Sequence, residues 1–236
     1  MFGIKKKTQV TKERPGLVVA SKPNSVVSEQ FRTIRTNIQF SMVDENLKSI
    51  VITSAGPGSG KSIVSANLAA TFASEDKRVL LVDADLRKPT VHKTFRVRNN
   101  DGLTTLLTDR NAKLENVIYP THVKGLYALT SGAIPPNPAE LLASKRMNEL
   151  MKELEGKFDL IVYDMPPIIA VTDAQIMASK VDGTIFVLPK SQASKEEVLK
   201  SKELLEMVNA NVLGAVFNRV EKASDNYYYY YGEEEK

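Results

Sequence analysis

The sequence of 236 residues has no cysteine and no tryptophan, and its only histidines are His92 and His122. Without cysteine the chain can form neither a disulfide bond nor a thiolate metal site, and two histidines argue against a histidine-rich one. No apolar run approaches the roughly 18 residues of a membrane-spanning helix, and the opening segment MFGIKKKTQV lacks the apolar core of a signal peptide. These absences predict a soluble, cytoplasmic protein.

Positive charge is concentrated at the N-terminus, although the formal net charge of the whole chain is only +4. Within residues 1–22 the only acid is Glu13. The basic residues of this segment are Lys5, Lys6, Lys7, Lys12, Arg14 and Lys22. We predict a flexible basic arm over residues 1–24. The alternative is a weak attraction to an anionic membrane surface, on the order of 1 kcal/mol per basic group.

The central part of the chain alternates short apolar runs with segments of helical periodicity. Hydrophobic residues make up 42% of the chain and charged residues 25%, which is a globular composition. Helices are predicted in SVVSEQFRTIRTNIQF, with Ser25 as the N-cap, and in AELLASKRMNELMKELEG. Residues 86–119 are predicted to be mostly irregular, with a short helix around GLTTLLTD. Six strands are predicted, in KSIVITSA, RVLLVDAD, GLYALTSG, FDLIVYDMPP, GTIFVLP and VLGAVFNRV. This alternation predicts one doubly wound α/β domain over residues 25–222, with a mostly parallel sheet flanked by helices.

A glycine-rich segment, AGPGSGKS, separates the first predicted strand from a helix, which is the context of a P-loop. Its glycines let backbone N–H groups face phosphate oxygens, and the helix N-terminus that follows favours negative charge. Lys61 can reach the β- and γ-phosphates, and the Ser62 hydroxyl can ligate Mg²⁺. The predicted nucleotide-binding residues of this segment are Gly56, Pro57, Gly58, Ser59, Gly60, Lys61, Ser62 and Ile63.

Acidic residues stand at the ends of two other predicted strands. VLLVDAD ends with Asp83 and Asp85, and LIVYD ends with Asp164. Ligands of open parallel sheets bind outside the carboxyl ends of the strands, so these carboxylates are expected to converge on the P-loop. Any one of them could instead cap a helix or form a turn. Three such acids beside a P-loop favour a phosphoryl-transfer site.

The choice of nucleotide rests on weaker signals. The chain has no Asn-Lys-x-Asp run of the kind that reads guanine, so ATP is the predicted nucleotide. Asn218 and Arg219 follow the last predicted strand, where Asn218 could read an adenine, or the two could simply be a polar pair that ends the strand. The His-Arg-Asp and Asp-Phe-Gly motifs of eukaryotic-type protein kinases are absent, which excludes that kinase fold.

The C-terminal tail, residues 223–236, holds five consecutive tyrosines, Tyr227, Tyr228, Tyr229, Tyr230 and Tyr231, followed by a run of glutamates. Consecutive side chains of a helix or strand point in different directions, so no regular element could bury all five rings in one core. One interpretation is a low-complexity tail that packs one or two rings on the domain surface. The other is that the tyrosine hydroxyls are substrates of the site.

Taken together, AGPGSGKS, LLVDADLRKP, PPNPAELLAS, IVYDMPP and the tyrosine cluster resemble the bacterial tyrosine kinases. The resemblance runs over residues 25–236 and is to the cytoplasmic kinase subunit of Gram-positive capsule and exopolysaccharide systems. It implies the deviant-Walker type of P-loop NTPase fold. Septum-placement and chromosome-partition ATPases share that fold, but they usually carry a lysine near the start of the loop. Gly56 stands there in this chain, which favours the kinase branch.

This resemblance implies an ATP-dependent protein-tyrosine kinase whose catalytic residues are Lys61, Asp83, Asp85 and Asp164. The Mg²⁺ ligands it implies are Ser62, Asp85 and Asp164. Within the Asp83–Asp85 motif one acid orients Mg²⁺ and the other accepts the tyrosine proton, and the sequence does not decide which. The implied phosphate acceptors are the tail tyrosines of a neighbouring subunit, with regulation of capsular or exopolysaccharide synthesis and export as the outcome.

The resemblance also implies partners. Glu29, Arg32 and Arg35 match a Glu-x-x-Arg-x-x-Arg motif that assembles a homo-oligomeric ring, although their spacing also suits a solvated helix face. The implied activator is the cytoplasmic end of a transmembrane polysaccharide co-polymerase, which would hold the kinase at the inner face of the membrane. A cognate tyrosine phosphatase is expected, and no nucleic acid. The competing interpretations are a partition- or septum-type ATPase switch and a nucleotide-binding adaptor without catalysis.

Overall fold

A computed structural model describes residues 16–42, 47–190 and 194–220. The strands are β1 (Ser49–Ser54), β2 (Val79–Asp83), β3 (Ile118–Pro120), β4 (Leu126–Leu129), β5 (Leu160–Asp164), β6 (Gly183–Pro189) and β7 (Val212–Asn218). The helices are α1 (Val18–Ser21), α2 (Val26–Ser41), α3 (Lys61–Ala73), α4 (Val91–Phe95), α5 (Leu103–Thr108), α6 (Leu114–Val117), α7 (Pro138–Ala143), α8 (Lys145–Glu155), α9 (Asp173–Ala178) and α10 (Lys195–Glu206). Helices and strands therefore alternate through most of the chain, as predicted.

The strands form one sheet in the order β3-β4-β2-β5-β1-β6-β7. Every neighbouring pair is parallel except β3 and β4, which are antiparallel. The six predicted strands are confirmed, and β3 is an addition at the sheet edge. This strand has three residues and ends in proline, so it carries no alternating apolar pattern that the sequence could reveal.

Both faces of the sheet are covered, which explains why its central strands are apolar throughout. All residues of β1, β2, β5 and β6 are buried. Helix α3 packs on one face and is itself buried from Val64 to Ala73. Helix α8 packs on the other face, where Met147, Leu150 and Leu154 enter the second apolar cluster. The doubly wound α/β architecture predicted from the sequence is confirmed.

Two segments differ in detail from the prediction. The helix expected over AELLASKRMNELMKELEG is divided at Ser144, which has extended backbone and accepts a hydrogen bond from the Met147 N–H at 3.1 Å. Serine is a favoured N-cap because its hydroxyl satisfies an N–H that has no partner within the helix. The region 86–119, predicted to be mostly irregular, contains α4 and α6 besides the predicted α5.

Residues 16–24, which the sequence analysis placed in the basic arm, pack on the domain. Leu17 is buried in the cluster that includes α3. The side chain of Asn67, on α3, accepts a hydrogen bond from the Val19 N–H at 3.0 Å and donates one to the Gly16 carbonyl. Residues 1–15 of the predicted arm and the tail 223–236 lie outside the described residues. No helix in the described ranges has both the length and the apolar character needed to cross a bilayer.

Candidate active site

The order of the central strands decides which side chains meet. Strand β5 lies between β2 and β1, and its last residue, Asp164, is in register with Asp83 of β2 and with Ile52 of β1. Two residues after Ile52, strand β1 ends and leads into the P-loop. The carboxyl ends of these three parallel strands therefore bring the predicted acids to the P-loop edge of the sheet.

The P-loop has the backbone shape that its glycines allow. Gly58 and Gly60 have φ angles of 73° and 83°, in the left-handed region that glycine adopts without strain. A side chain at Gly60 would also meet the Asn218 amide nitrogen, which lies 2.3 Å from the position of a Cβ atom. Gly60 caps the 13-residue helix α3, whose first turn directs its positive end toward the loop. This is the geometry of a phosphate cradle.

Lys61, the first residue of α3, sits in a ring of oxygen atoms. Its Nζ lies 3.1 Å from Asp85 Oδ2, 3.3 Å from Ser62 Oγ and 3.6 Å from Asp164 Oδ1. Burial by itself lowers the pKa of Lys61, but the attraction of Asp164 and Asp85 outweighs burial, so the pKa is raised above its ordinary value. Lys61 is therefore a fully charged cation at the phosphate cradle.

Asp164 is completely buried and only partly satisfied by hydrogen bonds. Its Oδ1 accepts a hydrogen bond from the Ser65 hydroxyl at 3.0 Å, while its Oδ2 has no partner among the described residues. Burial raises the pKa of Asp164 above its ordinary value, although Lys61 and the hydroxyls of Ser62 and Ser65 oppose the shift. A buried carboxylate oxygen without a partner is costly unless a cation or a donor outside the protein completes the site.

Asp83 holds the start of α4. Its Oδ2 accepts hydrogen bonds from the N–H groups of Thr90, at 2.9 Å, and Val91, at 2.8 Å, while its Oδ1 has no partner in the described part of the chain. Burial and the nearby Asp164 carboxylate raise the pKa of Asp83 to about 7. One oxygen of Asp83 thus acts as a helix cap, the alternative that the sequence left open, and the other is buried without a partner.

Asp85 has a different environment from Asp83. Its Oδ2 faces the Lys61 ammonium, and its Oδ1 accepts a hydrogen bond from the Lys88 N–H at 3.0 Å, which closes a tight turn after β2. Its side chain is 6% exposed, whereas Asp83 is fully buried. Their spacing in the sequence does not distinguish these two acids. In the fold Asp85 pairs with Lys61, and Asp83 caps α4.

Asn218 also lies at the P-loop. Its Nδ2 donates to the Ser59 carbonyl at 2.8 Å, and its Oδ1 accepts from the Arg219 N–H at 2.9 Å. Arg219 has a φ angle of 56°, so the chain turns directly after β7. Ile63 is 52% exposed on the surface of α3. Asn218, predicted to read an adenine, therefore bonds the end of β7 to the P-loop.

The donor set at the strand ends suits Mg²⁺. Hard divalent cations take oxygen ligands, and the Ser62 hydroxyl, Asp85 and Asp164 supply a hydroxyl and carboxylates. Three or more His, Cys, Asp or Glu side chains do not come together as a metal cage anywhere in residues 16–42, 47–190 and 194–220. Mg²⁺ does not need such a cage, since it usually keeps several waters and is bound by one or two carboxylates plus substrate phosphates.

The three residues of the predicted assembly motif lie on α2, and the two arginines have different partners. Arg32 pairs with Glu29 on the exposed face of the helix and also donates to the Pro23 carbonyl. Arg35 instead donates to the Thr71 carbonyl at 3.1 Å and lies 3.3 Å from Glu75, at the C-terminal end of α3. The sequence suggested equivalent roles for the two arginines, and the structure separates them.

Sequence reasoning missed Arg87 and Asp173. The Arg87 guanidinium makes two bonds to the Asp173 carboxylate, from Nε to Oδ2 at 2.9 Å and from Nη2 to Oδ1 at 3.0 Å. The only sequence signal was the position of Arg87 two residues after Asp85, because Asp173 is separated from it by 86 positions. A pair this distant in sequence is visible only after folding.

Comparison with known proteins agrees with this geometry. A family model described as NUBPL iron-transfer P-loop NTPase matches residues 46–230. The chain is 46% identical to the tyrosine-protein kinase YwqD of Bacillus subtilis over 213 residues, which cover 90% of each protein. It is 44% identical to the putative tyrosine-protein kinase CapB of Staphylococcus aureus, over 89% of this chain and 93% of that protein. The chain belongs to the bacterial tyrosine kinases.

Solved structures place this bacterial tyrosine kinase among P-loop NTPases. The chimerical protein CapA2B2 has a TM-score of 0.85 and 42% identity, covering 88% of this chain and 91% of that one. The septum site-determining protein MinD of Pyrococcus horikoshii, solved with Mg-ADP, has a TM-score of 0.62 and 26% identity, covering 75% and 72%. The kinase domain of the Escherichia coli tyrosine kinase ETK also has a TM-score of 0.85, at 35% identity, covering 94% of this chain and 86% of that one. A tyrosine kinase therefore fits better than the septum protein, as predicted.

The raised pKa of Asp83 leads to a prediction about stability. A carboxyl whose pKa is higher in the folded state than its unfolded value of about 4 contributes stability that is present below pH ~4 and is lost as pH rises through ~7. In Asp83→Asn the side-chain oxygen can still accept from Thr90 and Val91, but there is no proton to lose. We expect the difference in free energy of unfolding, variant minus wild type, to rise by about 2 kcal/mol between pH 5.5 and pH 8.5.

Urea unfolding of both proteins without nucleotide, at several pH values and constant ionic strength, measures this difference. Subtracting the two curves cancels the other titrating groups. A difference that stays constant across the range would mean that Asp83 keeps one protonation state and that its burial does not shift its pKa.

Proposed function

We propose that this chain is an ATP-dependent protein-tyrosine kinase that phosphorylates the tyrosine cluster of a neighbouring subunit and thereby regulates capsular or exopolysaccharide synthesis. The observation that carries the proposal is the Lys61 ammonium at the phosphate cradle, held between Asp85 and Asp164. Membership of the bacterial tyrosine kinases supports the reaction. The resemblance of the sequence motifs to the kinases of capsule and exopolysaccharide systems supports the process.

In this proposal the P-loop backbone, residues 56–62, cradles the phosphates of ATP, and Lys61 contacts the β- and γ-phosphates. Ser62, Asp85 and Asp164 would hold Mg²⁺, which supplies positive charge against the phosphate oxygens when bound. The two buried oxygens that find no partner among the described residues, on Asp83 and Asp164, are consistent with a site that the substrate complex completes. Ile63, Asn218 and Arg219 stay candidates for contacts to the nucleoside.

The transfer breaks the bond between the γ-phosphorus and the bridging oxygen of ATP and forms a bond from phosphorus to the tyrosine oxygen. ADP leaves, and the phenolic proton passes to a carboxylate, for which Asp83 and Asp85 are the two candidates. The pKa of about 7 favours Asp83 in this role, because an ideal base titrates near the operating pH. The salt bridge of Asp85 to Lys61 favours a charged residue that stays at the phosphates.

A partition- or septum-type ATPase switch is the second candidate, and the similarity to MinD is the observation that favours it. Against it stand Gly56, at the place where those ATPases usually carry a lysine, and the tyrosine tail. The two functions differ in the phosphoryl acceptor, which is water in an ATPase and a tyrosine hydroxyl in a kinase.

Intact mass after incubation with ATP and Mg²⁺ distinguishes these functions. We expect additions of phosphate that map to tyrosines 227–231 in wild-type protein. Lys61→Met should abolish them. It should also lower stability, because Asp164 loses its cation, but the domain should stay folded because the apolar core is untouched. Lys124→Met is the matched control, since Lys124 pairs with Asp76 on the exposed surface, away from the P-loop. Release of ADP without any addition would favour the ATPase, and additions to Lys61→Met at the wild-type rate would remove the P-loop from the mechanism.

Delivery of the tail to another subunit is the next part of the proposal. The tail of residues 223–236 can extend at most ~45–50 Å, so it can reach a neighbouring site. We expect full-length Lys61→Met, mixed with active protein that lacks residues 223–236, to become phosphorylated on its own tail. Phosphotyrosine is measured on each species by mass. A tail that stays unmodified, while full-length active protein modifies itself, would contradict transfer between subunits.

We further propose that the kinase assembles as a ring through α2, is activated by the cytoplasmic end of a transmembrane co-polymerase at the inner face of the membrane, and is reset by a cognate phosphatase. The similarity to the chimerical protein CapA2B2, with a TM-score of 0.85, supports an activator partner. The exposed Glu29–Arg32 pair supports a contact surface on α2.

The different environments of Arg32 and Arg35 make the ring testable. We expect Arg32→Ala to lower the assembled mass with little change in stability, because its pair with Glu29 is on the surface. Arg35→Ala should also lower the free energy of unfolding, by about 1 kcal/mol, since it loses bonds to α3. Light scattering and urea unfolding measure the two effects. An unchanged mass for Arg32→Ala would exclude this face of α2 as the assembly surface.

A further inference from the structure

The Arg87–Asp173 pair joins the loop after β2 to the first turn of α9. Both carboxylate oxygens of Asp173 are used, in a fork-to-fork geometry with bonds of 2.9 and 3.0 Å. The Asp173 side chain is completely buried, whereas the Arg87 side chain is 40% exposed. The bond to Asp173 raises the pKa of Arg87 further above its ordinary value. Two parallel charge-assisted bonds fix orientation as well as distance, which a single contact does not.

On the β2 side, the pair acts on the turn that carries Asp85. Arg87 lies inside the turn closed by the bond from the Lys88 N–H to Asp85 Oδ1. Leu86, between them, is fully buried. The Asp85 carboxylate lies beyond the end of β2, so its place beside Lys61 depends on how this turn is held. Besides the contact of Asp85 with Lys61, Arg87 bonds the turn to another element, the helix α9.

On the Asp173 side of the pair, helix α9 packs against β1, the strand that leads into the P-loop. The chain that leads from β5 to α9 is also bonded to the end of β1, since the Thr53 hydroxyl donates to the Pro166 carbonyl at 2.8 Å and the Ile168 N–H donates to the Ser54 carbonyl at 2.9 Å. Asp173 is therefore an anchor point that belongs to the same rigid frame as the P-loop.

We propose that Arg87 is a positioning residue of the kinase: through Asp173 it holds the Asp85 carboxylate at the distance from the P-loop at which Asp85 and the nucleotide bind Mg²⁺ together. In the described structure Arg87 contacts neither Lys61 nor Asp164. It acts on Asp85 through the turn and through the attraction between their opposite charges. The inference rests on the proposed function for the identity of the reaction. The metal-dependent part can be measured without any phosphoryl transfer.

A purely structural role would be the other explanation of the pair. Truncating Arg87 leaves a buried carboxylate without its cation, which destabilises a protein whatever the pair does for the site. Replacing both partners removes that penalty, because the asparagine in Asp173→Asn carries no charge. The double variant Arg87→Ala/Asp173→Asn therefore separates the two roles: it regains stability, but it does not regain the two-point contact that positions the turn.

The experiment measures the affinity of a fluorescent ADP analogue as a function of Mg²⁺ concentration, together with urea unfolding. The proteins are wild type, Arg87→Ala, Asp173→Asn, the double variant and Arg87→Lys. We expect Arg87→Ala and the double variant to need about tenfold more Mg²⁺ for half-maximal enhancement of nucleotide binding. Affinity in EDTA should stay within about twofold of wild type, because the P-loop and Lys61 are untouched. Arg87→Lys should recover only part of the effect, since lysine cannot form the fork.

Lys124→Ala is the matched control for loss of an ion pair, because Lys124 and Asp76 are bonded at 2.9 Å but both exposed. It should change neither stability nor Mg²⁺ dependence. A double variant that is as stable as wild type and has the wild-type Mg²⁺ dependence would overturn the proposal and leave the pair a structural one. An equal loss of nucleotide affinity with and without Mg²⁺ would overturn it as well.

The proposed function has a different point of failure. Wild-type protein that shows the expected Mg²⁺ dependence but never gains phosphate on tyrosine would contradict the kinase reaction and leave the positioning role of Arg87 intact. In wild-type protein that does transfer phosphate, the positioning role further predicts that excess Mg²⁺ restores much of the lost rate in Arg87→Ala. A loss of rate that no Mg²⁺ concentration relieves would argue against it.

Discussion

The attraction between the Lys61 ammonium and the carboxylates of Asp85 and Asp164 is the interaction on which the site depends. Asp164 is fully buried, and a buried carboxylate is costly unless a cation lies near it. Lys61 is that cation, and the helix that begins with it also forms one wall of the P-loop. The same charge that offsets the burial of the acids is therefore available to the phosphates of a nucleotide.

Helix α3 connects the site to the rest of the domain. Its first residue, Lys61, is in the phosphate cradle, while Asn67 in its middle fixes the segment at Gly16 and Val19. Its C-terminal end receives the Arg35 side chain from α2, the helix that carries the predicted assembly motif. The nucleotide site and α2, which carries the proposed subunit contact, are thus connected through the packing of α2 against α3.

Much of the fold was predictable because its signals are local. The short β-branched runs, the helical periodicity between them and the Ser25 cap each depend on neighbouring residues, and all six predicted strands are present. The antiparallel edge strand β3 and the interruption of the helix at Ser144 were missed. A three-residue strand has too few positions to show a period. A single serine inside a helical pattern gives no sequence signal that its hydroxyl caps a new helix.

A P-loop and acids at strand ends can be recognised from residue type and spacing, so the predicted chemistry of the site follows from local patterns. How those acids divide follows only from the folded arrangement of the strands. Asp83 and Asp85 are equivalent in sequence, yet the strand order buries Asp83 against Asp164 and α4, and leaves Asp85 facing Lys61. The partner that holds Arg87 likewise depends on which loops meet at the end of the sheet. Distances across a sheet are set by strand order, which local sequence patterns do not encode.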